Sequence, residues 1–219
     1  MTIPKIFNDS TKLVIDQLEG GYFNPAWHNV GDPRYSTSGE TMFGLDRLRG
    51  MQEKTATGKQ FWNLIDKNKT KEVWKWNYKG GALGDQLKDL AVQIMYPLYS
   101  NYAKLYLNDK AKKIIDNDPA LLFHFVYATW NGSGWFKKFA TDINTAVNNG
   151  VTNLQQVAIN SRTKEGLKAG SQPNSLIAQG GEKIKKLFAT LVKNKPKNTT
   201  LILIVSLIAG YFLYKKFKA

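Results

Sequence analysis

The chain has 219 residues, 42% apolar and 12% aromatic, which is room for one ordinary domain with a real core plus an appendage. With no cysteine there is neither a disulfide framework nor a thiolate metal site, and the two histidines, His28 and His124, fall in no metal-ligand spacing, so neither a metal nor another cofactor is expected. The 31 basic residues outnumber 17 acidic ones, and residues 180–219 hold 9 of the former and 1 of the latter; such an excess suits anionic lipid, an acidic cell wall or nucleic acid alike.

Met1-Thr-Ile-Pro-Lys-Ile-Phe contains no apolar h-region, so no cleaved signal peptide is expected. Asn8-Asp9-Ser10 offers capping side chains, and Thr11, Val14, Ile15 and Leu18 follow at the i, i+3, i+4, i+7 spacing of one helical face. That helix is expected to stop at Gly20-Gly21. Residues 22–44, with Asn24-Pro25, Gly31-Asp32-Pro33, a Ser/Thr cluster and Gly39, read as loop with a short β-hairpin. Gln60–Asp66 reads as a short helix. Leu83, Leu87, Leu90, Ala91, Ile94, Met95 and Leu98 predict a longer one, bent near Pro97. Asp118 caps and Pro119 opens the next, which runs through Leu121–Phe125 to Asn131-Gly132. Trp135, Phe136, Phe139, Ile143 and Val147 mark a further amphipathic helix closed by Asn149-Gly150, and short helical pieces follow to about residue 168. The expected fold is mainly α, a helical domain over residues 1–170 with one small loop and β-hairpin lobe.

The composition shifts at Ala169-Gly170-Ser171-Gln172-Pro173, which marks a domain edge. Residues 171–198 read as a linker. Within it Glu182–Lys193 sets Ile184, Leu187, Phe188, Leu191 and Val192 on one face and lysines elsewhere, a pattern for a helix in a membrane interface or packed on the domain. Leu201–Tyr214 carries no charge. As helix it covers about 21 Å, short of the roughly 30 Å hydrocarbon core. Thr199-Thr200 and Phe217 lengthen the run, and Lys197, Lys215, Lys216 and Lys218 reach the headgroups. We therefore expect a single C-terminal transmembrane helix over residues 199–217. Lysines on both sides leave its orientation open.

Glu19 stands one turn after Ile15, beside Leu18 and before two glycines. A carboxyl group next to apolar surface has its charged form disfavoured and becomes a general acid near neutral pH, and the glycines let a substrate approach. On spacing alone a Glu before Gly-Gly usually has no such role.

The segment Glu19-Gly20-Gly21-Tyr22, then Asp32, then Gly39-Glu40-Thr41-Met42-Phe43-Gly44-Leu45 resembles the signature of glycoside hydrolase family 108, phage and bacterial muramidases with a lysozyme-like helical fold. Trp74–Tyr78 and Ala128–Gly132 are similar to later family segments more loosely. The resemblance covers about residues 8–150 and is specific over 19–45. It implies that Glu19 protonates the glycosidic oxygen. It further implies that Asp32 and Thr41 place water or steady the positive sugar ring. The chain departs from the family by Pro33–Ser38, between Asp32 and the glycine stretch, so Asp32 and Glu40 are both candidates for the second acid, and Glu40 is also a candidate substrate contact. Two carboxylates across the bond give hydrolysis. With one, the lytic transglycosylase route remains, Glu19 serving as base and acid. Tyr22, Trp27, Tyr35, Trp74, Trp76 and Tyr78 are candidates for stacking on sugar rings, with core packing the alternative for at least half of them. Asn131 is placed either to bond a sugar acetamido group or to end its helix.

The leading expectation is thus a peptidoglycan glycosidase held to a membrane by its C-terminal helix, in a phage virion or lysis system, with virion structural proteins as possible partners. One rival is a non-catalytic, membrane-anchored structural or wall-binding protein with a degenerate lysozyme fold; the joint presence of Glu19, Asp32 and Thr41 argues against it. The other is a nucleic-acid binder. It lacks a motif, and its densest basic stretch abuts the apolar tail, so no specific nucleic-acid partner is expected.

Overall fold

The structure, a computed structural model, describes residues 2–19, 21–23, 39–47, 55–68 and 81–168, all within a unit Met1–Ile177. The domain edge at 170, the amphipathic stretch 182–193 and the apolar run 201–214 lie outside the described residues. No helix among the described residues is long and apolar enough to cross a membrane.

The described chain is mainly helical. Helix α1 spans Lys5–Gln17 and starts earlier than the Asn8-Asp9-Ser10 cap would have it. Pro4 takes the N-cap position, and its carbonyl accepts from the Phe7 and Asn8 amides at 3.0 and 3.1 Å. The apolar stripe explains the extra turn: Phe7 precedes Thr11, Val14 and Ile15 by helical spacing and is fully buried with them. Asp9 pairs with Lys5 one turn back instead of capping. The helix closes at Leu18, whose amide reaches Val14 O at 2.9 Å, so Glu19 falls just past the cap.

A small antiparallel sheet follows, in the order β1 (Tyr22–Phe23), β2 (Thr41–Met42), β3 (Leu45–Asp46). Helix α2 covers Ala56–Asn68, longer at both ends than the expected Gln60–Asp66; Thr55 Oγ1 accepts from Gly58 N at 2.9 Å and so satisfies an open amide of the first turn. It buries Phe61, Trp62 and Ile65. Helix α3 runs Gly81–Tyr106 with Pro97 inside it. Lys12 of α1 pairs with Asp89 of α3, and the buried Lys88 with Asp16. Helix α4, Asp109–Asn117, was not foreseen: only Ala111 and Ile115 are buried in it, too few for an apolar stripe to register. Asn108 caps it, and Tyr99 of α3 donates to Asp116 at 2.6 Å.

Helix α5, Pro119–Trp130, is the hub. It is apolar nearly all round, and α1, α3 and α4 pack on it, as do α6 (Ser133–Asn148) and α7 (Leu154–Lys168). Its start is the expected one. Asp118 Oδ1 accepts from the Ala120 and Leu121 amides at 2.8 and 3.1 Å, with Pro119 in the first turn. Asp118→Ala should therefore lower stability by about 1 kcal/mol, read as a lower urea midpoint with an unchanged slope. Helix α7 is one continuous helix in place of the expected short pieces. Its packing face includes Ser161, Arg162 and Glu165 beside Leu154 and Ala158, and polar residues on the buried side mask the apolar period.

His124 lies within α5, fully buried, and its Nδ1 has no hydrogen-bond partner among the described residues. Burial first, and the Arg162 charge second, lower its pKa to about 3 from the ordinary 6.5. The folded state thus keeps His124 neutral while the unfolded chain gains a proton below pH 6.5, so stability falls as pH drops from there toward 3. Between pH 7 and pH 5 this loss is about 2 kcal/mol. Urea midpoints at the two values should drop for the wild type and much less for His124→Leu.

Candidate active site

Strands β2 and β3 pair Thr41 with Asp46 and Met42 with Leu45, which leaves Phe43-Gly44 as a two-residue hairpin loop. Both lie in the left-handed region, at φ 54° and 71°, as a primed turn matched to strand twist requires. Glycine does this freely. Phenylalanine does not, at a cost on the order of 1–2 kcal/mol. Two contacts hold it there. Its ring is fully buried against Phe61 at a centroid distance of 6.5 Å, and its carbonyl accepts from Trp130 Nε1 at 2.7 Å.

That turn lies against Glu19. A Cβ on Gly44 would sit 2.2 Å from Glu19 Oε2, 3.0 Å from its Cδ and 3.3 Å from Trp130 Cδ1. Glu19 is half-buried, and its carboxyl group rests on bare backbone beside the edge of an indole. Three separate elements meet at this point: the end of α1, the β2–β3 turn and the end of α5. Tyr127 lies one turn before Trp130 on α5. Burial raises the pKa of its hydroxyl above the usual 10; Glu19's negative charge adds to this, while the Arg162 guanidinium, 5.0 Å over the ring, opposes it.

Of the residues singled out by sequence, Glu19 reaches this junction, and Thr41 sits in β2, two residues before the turn. Glu40, a candidate second acid and substrate contact, has both carboxylate oxygens hydrogen-bonded. Its Oε1 accepts from the Tyr22 hydroxyl at 2.7 Å and its Oε2 from Arg47 at 2.6 Å. Arg47 also grips Asp66 of α2 at 3.0 and 2.9 Å and lies 5.2 Å over Trp62. Glu40 thus ties the sheet to α2. Tyr22, a candidate for stacking on a sugar with core packing as the alternative, is 5% exposed and packs in the core with its hydroxyl on Glu40. Asn131 is the C-cap of α5, with its amide nitrogen donating to Tyr127 O at 2.9 Å, so it ends the helix as the plainer expectation had it. Asp32, Trp27, Tyr35, Trp74, Trp76 and Tyr78 lie outside the described residues.

No protein-family model, curated protein or solved structure matches the chain.

Trp130, Tyr127 and Arg162 were missed by sequence reasoning. Trp130 falls inside the Ala128–Gly132 stretch already singled out, which was the available signal; nothing local pointed to Arg162. A surface recess of about 170 Å³ is lined by Pro4, Phe7, Tyr96 and Lys112, and one of about 620 Å³ lies between α2 and α3. Glu19 lines neither of these. Chemically, Glu19 offers a carboxyl group on glycine backbone with an indole edge beside it. That set suits proton transfer to and from a substrate oxygen. Among the described residues no group of three or more His, Cys, Asp or Glu is placed to hold a metal ion.

Proposed function

We propose that the chain is a peptidoglycan glycosidase of lysozyme-like type, similar to glycoside hydrolase family 108, with Glu19 as its general acid. The observation that carries this reading is the seat of Glu19, its carboxyl group on Gly44 and the Trp130 edge just past the end of the first helix. The motif residues Glu19 and Gly44, far apart in sequence, meet there, which supports the resemblance by contact as well as by spelling.

In the proposed reaction Glu19 donates its proton to the glycosidic oxygen as the C1–O bond breaks and its electron pair leaves with that oxygen. The positive sugar ring is then closed by water, which loses its proton to a second carboxylate. Asp32 is the candidate for that role, since Glu40 is held by Tyr22 and Arg47. Without a second carboxylate, the sugar's own 6-hydroxyl attacks C1, giving its proton to Glu19 and forming a 1,6-anhydro end. Thr41 is proposed to steady the ring or the water. The apolar run 201–214, flanked by lysines, is proposed to tether the catalytic unit to a membrane, in keeping with a virion or lysis protein.

Purified peptidoglycan incubated with the full chain tests this. Falling turbidity with release of soluble sugar fragments is the expected result. An intact wall in the presence of demonstrably folded protein overturns it.

A further inference from the structure

Arg162 of α7 is only 5% exposed, and its Nη1 is buried with no hydrogen-bond partner among the described residues. Along the α6–α7 interface Lys138 binds Glu165, and Ser161 donates to Asp142 Oδ2 at 2.6 Å. A buried guanidinium nitrogen left without a hydrogen-bond partner is costly, and replacing a buried charge by an apolar side chain of like volume is often neutral or stabilising. Stability alone is thus a poor reason for this residue to be an arginine.

Its contact points elsewhere. The guanidinium carbon lies 5.0 Å over the ring of Tyr127, whose edge-to-face neighbour is Trp135 at 6.1 Å. The ring is clamped. Tyr127 is one helical turn from Trp130, which touches the Glu19–Gly44 junction and holds the strained Phe43 carbonyl. The hydroxyl of Tyr127 also feels the charge of Glu19, which puts the two groups in one electrostatic neighbourhood.

We propose that Arg162 is a positioning residue for Glu19, acting through Tyr127: the buried guanidinium clamps the ring one helical turn before Trp130, whose indole edge borders the Glu19–Gly44 junction. This rests on the glycosidase reading. A planar guanidinium over the ring face packs there better than a flexible ammonium and holds the ring in one place.

The test compares the full-length wild type with Arg162→Met and Arg162→Lys on soluble, uncrosslinked glycan strands, with melting followed in parallel. For Arg162→Met, kcat should fall about tenfold with KM within about twofold of the wild type and a melting midpoint unchanged or raised. Arg162→Lys, which keeps the charge, should recover part of the lost kcat. A residue that only supports the fold would give a lowered midpoint and no kcat loss at temperatures where the variant is folded. That result, or an Arg162→Met variant with full kcat, overturns the role of Arg162 while leaving the glycosidase reading in place. A wild type that cleaves no glycan overturns both.

Discussion

Replacing Gly44 with alanine is expected to cripple the chain far more than the same change at Gly150, although both glycines have φ +71°. At Gly150 nothing lies within 4 Å of the added Cβ, so Gly150→Ala meets only the left-handed backbone penalty, about 1–2 kcal/mol. At Gly44 the same penalty applies, and the methyl group would also stand 2.2 Å from Glu19 Oε2. Something must move. The turn is pinned by the buried Phe43 ring and by the Trp130–Phe43 hydrogen bond, so the carboxyl group is the part that yields. A displacement near 1 Å of a catalytic group costs on the order of 100-fold in rate. Gly44→Ala should therefore lose about 1–3 kcal/mol of stability and, where still folded, most of its activity. Chemical denaturation and a clearing assay on both variants read this directly. Equal losses at the two positions would mean that the contact with Glu19 does not matter.

Glu19→Gln is expected to have the largest effect on rate, a fall of about 10²–10⁴-fold, the usual contribution of a general acid. The amide is nearly isosteric with the acid and keeps the contact with Gly44, so thermal melting should move little. Glutamine has no proton to give at the pH of the assay. Peptidoglycan binding, measured by co-sedimentation, should survive. An inactive but wall-binding variant separates this account from the non-catalytic wall-binding reading, in which the change would have nothing to abolish.

How much of this was legible beforehand varies by element. Asp118-Pro119 marks the start of α5 unmistakably because cap and first turn are both local chemistry, and the two amides on Asp118 follow from it. The closing Asn149-Gly150 of α6 is legible for the same reason. Helix α1 was begun too late because Asn8-Asp9-Ser10 looks like a cap, whereas burial of Phe7 draws the helix back to Pro4. Helix α4 escaped because its stripe is two residues deep. In the site, Glu19 was visible through its glycines and its motif. The left-handed Phe43 was not: no local rule places a phenylalanine at φ 54°, and it is held by Phe61 and Trp130, 18 and 87 residues away in sequence. The engagement of Glu40 was hidden likewise, since Arg47 and Asp66 that fix it come from a turn and a helix whose meeting is tertiary. Charge partners of this kind are decided by packing, and spacing in the chain carries no trace of them.

The most direct measurement counts new sugar ends and new peptide termini in one digest of purified peptidoglycan, with wild type and Glu19→Gln compared at equal folded concentration. A glycosidase acting through Glu19 gives new sugar ends with the wild type, reducing or 1,6-anhydro, almost none with Glu19→Gln, and no new amino or carboxyl termini from either. New peptide termini, or sugar ends formed equally well by Glu19→Gln, would contradict that reading.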